Sequence, residues 1–234
     1  MLAVSVLPNA LFHELAGASP GWLAWAKPAS LAVMVLVALV WSEIRPLRNF
    51  FLVLLAIFAA EAGMARVESS AAWQGWFGAA GAPFAASMWG VQCGRLLVAL
   101  AMIGVLLALG YRRADFFLVR GRLDAPIEPV PLLGFPKPDP WTRFGGQWSC
   151  YIALGLLAFL AVFGRPSWAS FAQAAPLLPA VALFAAMNAF SEELTYRSAL
   201  LAALEPALGA RQAVWNAALF FGLGHYFGMP YGVA

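Results

Sequence analysis

Long apolar runs separated by short polar turns set the plan of this chain. Residues 22–41, 50–65, 87–110, 149–164, 174–204 and 212–227 are dominated by apolar side chains. Each predicts a membrane-crossing helix, which takes roughly 20 residues at 1.5 Å per residue. Residues 1–21 are apolar too, but Pro8, Gly17, Pro20 and Gly21 break them up. They predict a short interfacial helix with His13 and Glu14 at its polar edge. Residues 66–86, rich in Gly, Ala and Trp, read as a segment lying along the headgroups. Residues 111–148 are the one long polar connection. Within it 116–123 predict a small hairpin, and the prolines from Pro126 to Pro140 predict an extended stretch.

Composition agrees with that plan. The chain is 63% hydrophobic and 11% charged, with a mean hydropathy of +0.79. A soluble domain of this length needs more polar surface. The fold class is therefore all-α: a polytopic transmembrane helix bundle of about six spans, forming a single membrane-embedded domain over residues 1–234. The lipid bilayer is its first partner. The formal charge of +3 and the pI near 9.1 do not call for nucleic acid, because the arginines and lysines sit in turns beside the spans. Positive charge there orients a membrane protein, and its distribution predicts that the turn at 205–211 is cytoplasmic. Cys93 and Cys150 have no metal-type spacing and read as apolar fillers.

Charge inside the apolar runs changes the picture. No ionisable residue occurs from Pro166 to Ser191, and then Glu192 and Glu193 follow together. Ionisable groups at membrane depth cost about 2.5–3.5 kcal/mol each to insert and tend to be functional. Glu-Pro and Leu-Gly pairs near 205–209 predict a fold-back between the last two spans. Counting from that turn, Glu192 lies roughly 18 Å down one helix and His225 roughly 21 Å down the next. The two therefore reach similar depth. A carboxylate and an imidazole together suggest activated water, a bound metal or a proton relay; a buried pair that only locks two helices is the plain alternative. Glu193 and Arg197, at i and i+4, predict an ion pair, and Phe221 and His225 share a face by the same spacing. Asn188 lies one turn before Glu192. Glu61, placed close to the far end of the second span, is expected to be solvated near Arg66. Arg95, in the third, is expected to snorkel to the nearer interface; contact with an anionic partner inside the bundle is the alternative.

Glu192-Glu193-x-x-x-Arg197, followed by Phe221-x-x-x-His225, each on its own apolar helix, resembles the first two motifs of the CPBP family of intramembrane proteases, which includes the type II CAAX prenyl protease. The resemblance covers about residues 190–233, with the trailing Gly228-x-Pro230-x-Gly232. It implies an endopeptidase that acts on a membrane-anchored protein or peptide, in a multi-pass protein of a prokaryotic cell membrane. It implies Glu192 as the general base toward water and His225 as the group that helps hold that water. Glu193 and Arg197 would support the site or position substrate, and Phe221 would pack. An older interpretation of the family makes zinc the cofactor, with Glu192 and His225 as metal ligands. One histidine and two carboxylates fall short of a zinc shell of three protein ligands plus water, so metal dependence stays open. A third family motif, His-x-x-x-Asn or His-x-x-x-Asp, would stabilise the oxyanion. It has no counterpart here, since the histidines are His13 and His225 alone. The expectation is therefore a fragment that lacks later helices. The other function class consistent with the residues is a non-catalytic membrane protein of the same family, such as a pseudoprotease, immunity factor or scaffold. A proton or solute pathway would need ionisable groups spread over more spans than Glu61 and Arg95 provide.

Overall fold

The computed structural model describes residues 1–78 and 82–228, and all its regular structure is helical among those residues. The family-like trail at Pro230 and Gly232 lies outside the described residues. The chain divides into two compact units, residues 1–118 with 180–234, and residues 119–179.

In the larger unit the elements are α1 (Leu7–Ala16), α2 (Leu23–Val40), α3 (Arg48–Glu68) and α4 (Phe84–Ala108). Its later part begins within Leu178–Glu192, which comes after α5 (Trp141–Phe159) and α6 (Trp168–Ala174) of the smaller unit and is therefore α7. Then come α8 (Ala199–Leu208) and α9 (Ala210–Gly224). Helix α3 packs against α2, α4 and α8, and α8 packs against α9. The core they enclose holds Leu31, Val53, Leu54, Ile57, Met102, Leu106 and Leu200.

Small residues govern the last hairpin. Ala199, Ala202 and Ala203 on α8, and Ala213 and Ala217 on α9, are all buried. Lipid tails are as apolar as leucine, so helices in a bilayer associate through close van der Waals contact, which small side chains permit. Gly209 turns the chain between them at φ +79°, a conformation that favours glycine. Overpacking this contact should be costly. Ala203→Leu is expected to lose about 1–3 kcal/mol, read as a lower unfolding midpoint in mixed micelles with helical content unchanged.

Five helical runs among the described residues are long and apolar enough to span: Leu23–Val40, Arg45–Glu68, Phe84–Ala108, Trp141–Gly164 and Trp168–Leu208. They account for five of the six expected crossings. The sixth, α9, stops after 15 residues, a few short of the hydrocarbon thickness. Gly222 and Gly224 weaken its last turn, because glycine is about 1 kcal/mol poorer than alanine in a helix.

In the smaller unit α5 runs on through a π-helical turn, Leu160–Gly164, to Arg165 at φ +41°. Leu154, Leu157 and Phe163 stand exposed, as a helix facing lipid would present them. The connection differs from expectation in two respects. Residues 116–123 form no hairpin, and Phe116 is instead buried in the core of the larger unit. The proline-rich stretch folds back where extended backbone was expected, with bridges Pro126 to Pro140 and Val130 to Phe135. A 3₁₀ turn at Pro131–Leu133 and Gly134 at φ +84° reverse its direction. Proline lacks an N–H, but its carbonyl still accepts, and a turn needs no more than that.

Candidate functional site

The run from Trp168 to Leu208 is helical throughout, but it changes character at the acidic motif. Glu193–Ser198 form a π-helix between α7 and α8. Such wide turns are rare and recur at functional sites. The wider turn keeps Glu193 and Arg197 adjacent, and Arg197 Nη1 donates to Glu193 Oε2 at 2.8 Å. Both side chains are about half exposed, so this pair is a fastener of small energetic weight.

Glu192 turns the other way. With Ser191, Thr195 and Tyr196 it borders a cavity of about 630 Å³ inside the larger unit. Across that cavity stand Ile57, Glu61, Met64 and Glu68 of α3, Arg95 and Val98 of α4, and Lys27 of α2. Phe220, Phe221, Gly224 and His225 close it from α9. The structure thus brings Glu192 and His225, expected at similar depth, to the lining of one cavity. Glu193 and Arg197 are not part of that lining.

His225 sits just past the end of α9. Its backbone N–H turns to the Gly222 carbonyl at 3.1 Å, which frees the Phe221 carbonyl, an acceptor left over in the last helical turn. Imidazole Nδ1 lies 3.0 Å from that oxygen. A carbonyl can only accept, so Nδ1 carries the proton and Nε2 of the neutral ring keeps its lone pair. The Phe221 ring packs edge-on against the imidazole with centroids 4.5 Å apart. The Arg197 guanidinium carbon lies 4.5 Å from the centroid of the same phenyl ring, a cation–π contact. The two sequence motifs are therefore linked physically: Glu193 holds Arg197, Arg197 covers Phe221, and Phe221 walls His225.

Two residues depart from expectation, and a third buried cation joins them. Glu61 is not solvated near Arg66. Helix α3 continues to Glu68, so Glu61 lies two turns inside it, where it accepts a hydrogen bond from the Tyr196 hydroxyl. Arg95 does not simply snorkel. Its Nη1 donates to Glu192 Oε1 at 3.3 Å and also to Asn188 Oδ1. Lys27 of α2, for which the sequence raised no expectation, is 8% exposed. Its ammonium donates to the Ser5 carbonyl and to Asn9 Oδ1, which ties the N-terminal segment to α2. Each is a polar atom inside an apolar run, and that was the available signal. Sequence gives depth along a helix but not the facing partner. Tyr196→Phe is expected to cost about 1–2 kcal/mol, the scale of a side-chain hydrogen bond between membrane helices. The check is the unfolding midpoint of purified protein.

No group of three His, Cys, Asp or Glu side chains close enough to hold an ion occurs among the described residues. Glu192 and His225 supply two donors where zinc takes three protein ligands and a water. The donor set does not fit zinc.

No curated protein and no solved structure matches the chain. Residues 173–234 match a family model described as type II CAAX prenyl endopeptidase Rce1-like. That segment contains both motifs, with Glu192 and His225 among its cavity-lining residues. Over that segment this all-helical chain, with five helices long and apolar enough to span a membrane, is similar to the CAAX proteases.

Proposed function

We propose that the protein is an intramembrane endopeptidase in which Glu192 activates water and His225 helps hold it. The observation that carries this reading is that both side chains border a single cavity among apolar helices. A water between them would give a proton to the free carboxylate oxygen of Glu192. Its oxygen would add to the scissile carbonyl, and the proton would pass to the amine that leaves. With Nδ1–H of the imidazole engaged by a carbonyl, Nε2 is the ring nitrogen left for that water. Glu193 and Arg197 serve as support, acting through Phe221 on the placement of the ring. The substrate is a protein or peptide anchored in the same bilayer, since the cavity lies within helices apolar enough to span it.

One observation favours the other class. The Arg95–Glu192 contact ties α4 to α7 as a helix lock would. The experiment that separates them is direct. The protein is reconstituted in phosphatidylcholine vesicles with membrane-anchored peptides that end in a Cys-aliphatic-aliphatic-X sequence. A new carboxy terminus found by mass spectrometry supports the protease. Intact peptides throughout would leave the non-catalytic reading standing and remove this one.

A further inference from the structure

We infer that Arg95 is a positioning residue for Glu192, resting on the reading of Glu192 as the base. Arg95 lies in the interior of α4, within one of the spanning runs. A guanidinium there is costly unless it meets an anion or several carbonyls. It meets both. Nη1 reaches Glu192 Oε1 at 3.3 Å and Asn188 Oδ1 on the preceding turn of the same helix. The Arg95 side chain is 49% exposed and that of Glu192 27%. Much of the guanidinium therefore faces open space, and the ion pair is worth little as a stability device. Its geometry is more informative.

A carboxylate has two oxygens and rotates about its last bond. Arg95 engages Oε1 alone, and fixing one oxygen fixes the direction of the other. Asn188 holds the same guanidinium nitrogen, so the clamp is itself held in place. Oε2 is then left for a proton acceptor's work in the cavity that also contains His225. A base presented this way loses rate when it is misplaced by even an ångström, up to about a hundredfold. Asn188 and Arg95 therefore act on the reaction through Glu192. The nearby Tyr196–Glu61 hydrogen bond ties the Glu192 side of the cavity to α3, with Tyr196 one turn beyond Glu192.

The test measures kcat and KM on an anchored peptide with wild type, Arg95→Met, Arg95→Lys, Asn188→Ala and Glu192→Gln. Arg95→Met is expected to lower kcat by about 10- to 100-fold with KM within about twofold. Arg95→Lys should fall between it and wild type, because lysine restores the charge without the guanidinium geometry. Asn188→Ala, which keeps the ion pair, should lower kcat by less than Arg95→Met; it carries the test if Arg95→Met is not recovered folded. Wild-type kcat in both Arg95→Met and Asn188→Ala, with Glu192→Gln inactive, would overturn this inference and leave the base assignment intact. Cleavage that survives in Glu192→Gln would instead remove the base assignment itself.

Discussion

Glu192→Gln should abolish cleavage while leaving the protein folded in the membrane. The substitution keeps the size of the side chain and an oxygen that can still accept from Arg95 Nη1, which lies 3.3 Å from Oε1 in the native chain. It removes only the ability to take a proton. General-base contributions run to about 10²–10⁴ in rate, so loss to the level of the assay background is expected. The stability change should be slight. The Glu192–Arg95 pair is partly open, and pairs of that kind contribute about 0–1 kcal/mol. Two measurements on one preparation check this: product formation on an anchored peptide, and the unfolding midpoint. A helix lock predicts the opposite pattern, with the midpoint lowered and no cleavage in wild type to lose.

The distribution of apolar residues carried most of the fold. Each expected span has a helix in place, and the motif helices run antiparallel with Gly209 at the turn. That much comes from local rules, because a bilayer leaves an exposed chain few options beyond helices. What sequence could not supply was the pairing across helices. Glu61 and Arg95 were visible as charges within apolar runs, but a charge near a predicted helix end reads as interfacial until the true end is known. Helix α3 extends to Glu68, and those added residues move Glu61 from the rim into the cavity. Arg95 had two readings, and only the position of α7 decides between them. The π-helix at Glu193–Ser198 left no trace in the residue pattern, since Glu-Leu-Thr-Tyr-Arg-Ser contains neither Gly nor Pro. The Glu193–Arg197 pairing was foreseen because i and i+4 stay close in either type of turn. The proline-rich connection departs from the extended form for a related reason. Proline fixes its own φ, but the reversal of the chain is made by a glycine, Gly134, at positive φ.

His225→Ala should reduce cleavage by about a hundred- to ten-thousandfold, with partial rescue by added imidazole. The ring has two attachments in the structure: Nδ1 to the Phe221 carbonyl at 3.0 Å, and an edge-on contact with the Phe221 ring. Removing it leaves one helix-terminal carbonyl to find water and a phenyl ring without its neighbour, which together cost about 0.5–1.5 kcal/mol of stability. A loss of that size cannot silence a folded enzyme. The removal of Nε2 can, if that nitrogen holds the water that Glu192 deprotonates, because proton-handling groups in the site contribute about 10²–10⁴. Imidazole in solution separates the two effects. The cavity, at about 630 Å³, has room for a ring that small, and free imidazole cannot restore the packing at the end of α9. Rescue of His225→Ala, with none in Glu192→Gln, assigns the histidine to the chemistry. Cleavage within a few fold of wild type in His225→Ala would show that the ring only ends the helix, and that Glu192 meets its water without it.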